Sequence, residues 1–470
     1  MNFPSPIKKN FAYNSALTLS SYLVVFITFP YVSRVIGVNR IGLVNFVDNT
    51  VNYFLLFAMM GVNLLGIREI ASVKDNYEKR SRVFANILGL NIGFTVITLA
   101  VYFLLVSVIP KLNQYSELFY IGSAKILCTA FVVEWFFKGL ENFRYITLRS
   151  IAIKTVYVVG VFLLVKSPDD YKIYFVLTVG TVIVNSLVNF LYVRRFVSPR
   201  FGDYFSLKYL KQNGILGIYS IMTSMYQTFN VMFLGLSANS TQVGYYTTAF
   251  KLYTAIIGLF SAFTNVMLPR MNVVLAQNQK KRFHQLVEKS FRAMCTFSIP
   301  MIVCSMILAP EIIYVLSGPG YEGAVTPMRV IMPAALFVGI AQVLAIQILA
   351  PMKKDKVLFT ASIIGAIVSL TINMSLVPTC KAIGSAIVLL CSEIAVTTTY
   401  IVNIIQHKIV SIPSDSIWRN LILTLPAVLI CFCCKQYINN PFALLAVVIP
   451  SVLLVWAGCQ RLFGIGNLRR

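Results

Sequence analysis

The chain has 470 residues, of which 58% are hydrophobic and only 12% charged. A soluble domain carries about a quarter charged residues, so this composition excludes a soluble globular enzyme and a disordered chain and points to a polytopic membrane protein. Lys and Arg number 40 against 16 Asp and Glu, a formal charge of +24, which in a membrane protein reads first as basic cytoplasmic loops rather than nucleic-acid binding.

About 20 apolar residues cross the hydrocarbon core as a helix. Fourteen runs of that kind occur, at 13–36, 43–66, 84–109, 116–137, 147–165, 172–193, 212–235, 244–267, 292–316, 325–350, 357–377, 383–405, 417–434 and 441–460. The first is too long for a signal-peptide core, has no clear small-residue cleavage site and is expected to be retained. Short loops join the runs and leave no room for a soluble domain to hold a cofactor, so none is expected. The nine Cys lie mostly in apolar runs, as in Cys431-Phe432-Cys433-Cys434, without paired CxxC spacing. They read as small packing residues. Two His in the whole chain and no P-loop leave no motif for metal chemistry or nucleotide hydrolysis.

Orientation follows from the loops. Those before span one, after each even-numbered span and after span fourteen hold 29 Lys and Arg, against 7 in the opposite set. Positive-inside then places both termini in the cytoplasm, which requires an even number of spans.

The chain also repeats itself weakly at an offset of 202 residues. Ile41-Gly42-Leu43 matches Val243-Gly244-Tyr245, Arg68 matches Arg270, and Lys79-Arg80 matches Lys281-Arg282. Six spans per repeat keep the same orientation, which makes the halves parallel repeats with a pseudo-two-fold axis along the membrane normal. The expected architecture is all-α: a six-helix lobe over 1–203, a second over 204–410, and helices thirteen and fourteen with a cytoplasmic tail over 411–470. Such a pair of lobes points to a transporter that binds between lobes and works by alternating access. A membrane scaffold is the bland alternative.

Three stretches carry a more specific signal. Span four ends in Glu134-Trp135-Phe136-Phe137-Lys138-Gly139-Leu140-Glu141, span eight opens with Val243-Gly244-Tyr245-Tyr246 and runs to Lys251, and span one ends in Tyr31-Val32-Ser33-Arg34. These resemble the Wzx-type polysaccharide and O-antigen repeat-unit flippases of the multidrug/oligosaccharidyl-lipid/polysaccharide exporter superfamily, over most of residues 10–410. The resemblance implies a protein of the bacterial inner membrane. It would move an undecaprenyl-pyrophosphate-linked oligosaccharide to the periplasmic leaflet for O-antigen, capsule or exopolysaccharide assembly, with polymerase and chain-length proteins as possible partners. A cation-coupled multidrug antiporter and a peptidoglycan lipid-precursor flippase, both of the same superfamily, are the alternatives.

Such a cargo is an anion that must cross hydrocarbon, so charges inside spans are the candidates. Lys251 comes first: it lies about two turns, roughly 10 Å, into span eight and matches Asn49 of span two at the repeat offset. Its ammonium would pair with a phosphate oxygen. Arg34 and Arg40 make the outer mouth of the first lobe cationic. Asn45, Asn49 and Asn52 recur at i, i+4, i+7 on one helix face, with Asp48 beside it, a stripe suited to sugar hydroxyls or to helix–helix bonding. Asp48 is expected to pair with Arg34 or Lys251. Lys125 and Lys154 lie near the middles of spans four and five, facing the cavity or paired within the membrane. Glu393 is the candidate for a coupling proton or cation. Glu134 and Lys138, at i, i+4, are expected to support each other, with Trp135, Phe136 and Phe137 as an interfacial anchor. Arg144 and Arg149 would stand at the cytoplasmic entrance. Spans thirteen and fourteen would shape a groove for the polyprenyl tail, as the resemblance to peptidoglycan-precursor flippases implies.

Overall fold

The computed structural model describes residues 6–198, 202–203, 207–224 and 228–464. Every regular element among them is helical, as hydrocarbon demands of a chain that must satisfy its own backbone polar groups. Among the described residues, twelve helices are long and apolar enough to cross a membrane. Large apolar side chains such as Val156, Leu163, Met374 and Leu454 are exposed on them, which is the surface that lipid would cover. The expected C-terminal tail beyond residue 464 lies outside the described residues.

The chain divides into two compact units, 1–236 and 237–470. The first contains α1 (Pro6–Ile36), α2 (Val38–Met59), α3 (Val62–Ser72), α4 (Tyr77–Val108), α5 (Pro110–Asn113), α6 (Ser116–Thr129), α7 (Glu134–Gly139), α8 (Phe143–Leu164), α9 (Tyr171–Val193), α10 (Leu210–Ser224) and nearly all of α11 (Thr228–Ser237). The second continues with α12 (Ser240–Ala276), α13 (Lys280–Ile307), α14 (Ala309–Ser317), α15 (Val325–Gln342), α16 (Asp355–Gln406), α17 (Asp415–Tyr437) and α18 (Pro441–Cys459).

Local chemistry sets several of these boundaries. Asn76, Asn142, Asn239 and Asn440 stand just before α4, α8, α12 and α18, and each side chain accepts a bond from a backbone N–H of the first turn. That satisfies a donor no helix can satisfy internally. The expected outer loop after span one shrinks to Gly37, at φ 80, with α2 starting at the next residue. The expected second span breaks at Met60, where φ is 39, and restarts as α3. A Cβ on Gly61 would lie 2.5 Å from the Asn213 carbonyl oxygen and from Leu216 Cβ, so α10 crosses this break at a distance only glycine permits. Gly217 returns the contact, its Cβ position being 2.7 Å from Met60 Sδ.

In the second unit α16 has 52 residues and would extend about 78 Å if straight. It does not. Lys381 is non-helical (φ 51, ψ −124), a Cβ on Gly384 would meet the Leu376 carbonyl oxygen at 2.9 Å, and Lys356 to Ile364 line one groove together with Thr398 to Gln406. The two arms therefore run antiparallel, and the expected runs 357–377 and 383–405 are its arms. A seven-residue π-helix, Val343–Leu349, follows α15. The last two helices pack on the rest of this unit, α17 against α13 and α18 against α14.

The aromatic anchor expected at Trp135, Phe136 and Phe137 is corrected by the structure. All three are buried at 1% exposure or less, in a core with Phe84, Val62, Leu65 and Ile146. Trp135 stacks on Phe84 with centroids 5.7 Å apart. The tertiary packing of α3 and α4 on the short α7 removes these rings from the interface, where their sequence position near a span end had placed them.

Candidate functional site

The helices of the first unit hold two polar clusters inside an apolar shell. The first begins on α2. Val44, Val47 and Val51 are buried, while Asn45, Asp48, Asn49 and Asn52 are half-buried on the other side of the helix. Lys125 of α6 reaches across and pairs with Asp48, Nζ to Oδ1 at 2.8 Å. Asn52 donates to the other Asp48 oxygen at 3.0 Å. Asn49 donates to the Asn45 backbone carbonyl at 2.8 Å, which leaves its own side-chain oxygen as an acceptor. Tyr157 of α8, bonded to Tyr174 and Thr178 of α9, lies within electrostatic range of Asp48. The pairing expected for Asp48 was with Arg34 or Lys251; the structure gives it Lys125, because α2 and α6 pack directly. A charged pair with its remaining atoms hydrogen-bonded is the form in which hydrocarbon tolerates charge.

The second cluster centres on Glu134 of α7. Lys138 sits 2.8 Å from one carboxylate oxygen and Arg149 of α8 3.3 Å from the other. Arg149 also donates to Asn189 of α9 and lies over the Tyr145 ring, whose hydroxyl donates to Asn189 at 2.9 Å. The Glu134–Lys138 contact agrees with the spacing. Arg149 departs from the expected entrance role: its side chain is 5% exposed and committed to Glu134 and Asn189, whereas Arg144 is exposed. Asn189, at 0% exposure, escaped the sequence reading. An Asn inside the apolar run of α9 was the signal that marked it.

The other candidates are placed as follows. Lys154 of α8 donates to Ser20 and Ser21 of α1, at 3.0 and 2.7 Å, so hydroxyls rather than a carboxylate hold it. Arg40 pairs with Asp169 at 2.7 Å and stacks over Tyr171, tying the start of α2 to that of α9. Arg34 is exposed at the end of α1 and donates to the Pro30 carbonyl at 2.7 Å. The structure thus joins Asp48, Asn52 and Lys125 directly, and leaves Arg34, Arg40 and Lys154 in separate contacts.

In the second unit Lys251 is half-buried on α12, beside a ladder of stacked rings formed by Tyr246, Phe250 and Tyr253, with centroids 5.8 and 5.5 Å apart. Glu393, 4% exposed on the second arm of α16, receives the Tyr253 hydroxyl at 3.5 Å. An apolar groove of about 540 Å³ opens among α12, α13, α14 and α18, walled by Leu252, Leu259, Phe297, Leu445, Val448 and Trp456. No group of three or more His, Cys, Asp or Glu suited to a metal occurs among the described residues.

Comparison with known proteins places these features in context. Residues 7–275 match the family described as "Polysaccharide biosynthesis protein". The chain is 24% identical over 408 residues to a protein of Escherichia coli (strain K12) named "Putative O-antigen transporter", covering 86% of this chain and 98% of that one. A protein of the same name from Shigella dysenteriae is 24% identical over 401 residues, 83% of this chain and 98% of its own. In fold the chain is similar to the lipid II flippase MurJ in an inward closed conformation, with TM-score 0.79, 17% identity and coverage of 98% and 100%. It is also similar to an inward-facing multidrug resistance MATE family transporter, with TM-score 0.58, 11% identity and coverage of 82% and 94%.

Proposed function

The chain belongs to the polysaccharide biosynthesis family of Wzx-type flippases, as a multi-pass transporter of the bacterial inner membrane and not an enzyme, and we propose that its cargo is an undecaprenyl-pyrophosphate-linked oligosaccharide repeat unit, translocated by alternating access. The observation that carries this reading is the Asp48–Lys125 pair set in a face of Asn amides. Lys125 is a fixed intramembrane cation held by a carboxylate that an incoming pyrophosphate replaces. Asn45, Asn49 and Asn52 present amide groups that suit sugar hydroxyls. Lys251 and Arg34 add cationic contacts along the route, and Arg40 and Lys154 join as their present partners release them. The groove of about 540 Å³ walled by α18 takes part of the polyprenyl tail, since only an apolar lining matches that chain. Glu393, buried with a tyrosine hydroxyl as a neighbour, is the site for a coupling proton or cation.

The finer topology belongs to the same proposal. The two arms of α16 supply two spans, and α10 with α11 supplies the one expected over 212–235, whose residues 225–227 lie outside the described residues. That restores fourteen spans with both termini cytoplasmic, as two six-helix repeats over 1–203 and 204–410 and a closing hairpin over 411–470. Product would pass to a polymerase and chain-length proteins.

The test is reconstitution in liposomes with the lipid-linked oligosaccharide, scoring its passage between leaflets. Lys251→Ala and Arg34→Ala should each slow flipping by about tenfold, the loss of one charge-assisted contact. Normal flipping in both variants would remove these two residues from the cargo route. No flipping by the wild type, together with gradient-driven export of a cationic dye, would replace the reading with a multidrug antiporter.

A further inference from the structure

The two arms of α16 enclose a second groove, of about 400 Å³, at the end of the hairpin where Asp355 and Gln406 lie. Its lining is mixed. Lys356, Thr360 and Ile364 come from the first arm, and Thr399, Asn403 and Gln406 from the second. The polar groups sit within about two turns of the helix ends, the depth of lipid headgroups, while Ile364 lies about 14 Å along the first arm, where acyl chains begin.

The hydrogen-bond state of this lining selects a ligand. The Thr360 hydroxyl already donates to the Lys356 carbonyl at 2.9 Å, and the Thr399 hydroxyl to the Ala395 carbonyl at 2.8 Å. With its one proton used, each hydroxyl offers only lone pairs to the groove. The Thr360 and Thr399 oxygens therefore form an acceptor wall, beside the amide N–H donors of Asn403 and Gln406 and the Thr398 hydroxyl, and that acceptor pair favours a ligand with N–H donors. Lys356 supplies the opposite chemistry, a cation in the first turn of a helix, where the backbone dipole adds to its positive potential. A group that carries a primary ammonium and a phosphate together satisfies both.

The geometry points to a phosphoethanolamine site: the groove at the open end of the α16 hairpin holds the headgroup of phosphatidylethanolamine from the surrounding bilayer, its ammonium on Thr360 and Thr399 and its phosphate on Lys356. This goes beyond the flippase reading and needs no particular cargo. A bilayer lipid is favoured over a soluble ligand because the groove continues past aliphatic side chains toward the hydrocarbon. Choline headgroups, whose ammonium has no N–H, cannot use the acceptor wall. Glycerol headgroups engage Lys356 but bring to the threonine oxygens only neutral O–H donors, not a charged ammonium.

Native mass spectrometry of the delipidated full chain tests it, with phosphatidylethanolamine, phosphatidylcholine and phosphatidylglycerol of the same acyl chains. Phosphatidylethanolamine should bind about tenfold more tightly than phosphatidylcholine, the difference of one or two charge-assisted hydrogen bonds. Thr360→Val with Thr399→Val should erase that preference, and Thr399→Ser should keep it. Lys356→Ala, a change outside the buried core, should weaken binding of phosphatidylethanolamine and phosphatidylglycerol alike, so the site stays testable even where the double variant misfolds. Equal binding of the three lipids, or an ethanolamine preference indifferent to these variants, overturns the site. Binding of soluble O-phosphoethanolamine as tight as that of the lipid overturns its assignment to the bilayer. All of these readouts are independent of transport, so failure here and failure of the flippase reading are separate results.

Discussion

Lys125→Met should lower the stability of the purified protein by about 3–5 kcal/mol and abolish flipping, while Asp48→Asn combined with Lys125→Met should recover most of the stability and none of the transport. The pair's side chains are 11% and 23% exposed, with charged atoms 2.8 Å apart. Removing the ammonium alone leaves the Asp48 carboxylate inside the membrane helices with the Asn52 amide as its hydrogen-bond donor among the described residues, and one neutral amide does not replace a cation. Removing both charges leaves an amide that Asn52 can still bond, so the desolvation penalty disappears with the charge. Transport does not recover because the cation that the pyrophosphate needs is gone. Denaturant or thermal unfolding in detergent measures the first effect and the liposome assay the second. A Lys125→Met protein as stable as wild type would show that the pair is not desolvated. A double variant that flips normally would show that Lys125 does not contact cargo.

Gly61→Val should be strongly destabilising, at about 3 kcal/mol or more, with loss of folded protein on expression. Its Cβ would sit 2.5 Å from the Asn213 backbone carbonyl oxygen and 3.0 Å from the Gly217 backbone nitrogen. Backbone atoms cannot swing aside as the end of a flexible side chain can. Relief requires moving α10 off the break between α2 and α3. Gly93→Ala is the matched control. It lies in mid-helix on α4 with nothing within 4 Å of the added Cβ, so it should stabilise by up to about 1 kcal/mol through helix propensity. Thermal melting of the two variants beside wild type decides the matter. A tolerated valine at position 61 would mean that the crossing of α10 over Met60 and Gly61 is looser than these distances state.

Both effects concern features of unequal legibility in the sequence. The stripe of Asn45, Asp48, Asn49 and Asn52 was readable because helical periodicity puts i, i+4 and i+7 on one face whatever the surroundings. Its cation was not. Arg34 and Lys251 were the expected partners for Asp48, and the packing of α2 on α6 gave it Lys125 instead. Span four likewise read as one apolar run, while the structure breaks it at Val133, with φ 36, and turns Trp135, Phe136 and Phe137 inward. An aromatic near a span end looks the same in sequence whether it meets headgroups or a neighbouring helix.

The sequence by itself determined the membrane class, the helical architecture, the basic bias of alternate loops and the resemblance to polysaccharide flippases. Those properties are sums over composition, run length and local period, and they need no knowledge of which helices touch. Only the tertiary structure decided which charges neutralise one another, that Arg149 and Asn189 complete the Glu134 cluster, that α10 crosses α2 and α3 at two glycines, and that α16 folds back on itself. These depend on contacts between residues as far apart as Arg68 and Gln212, whose side chains bond at 3.1 Å across 144 positions. Inside a membrane, where charge is costly unless paired, such long-range pairings select among partners that local pattern leaves equivalent.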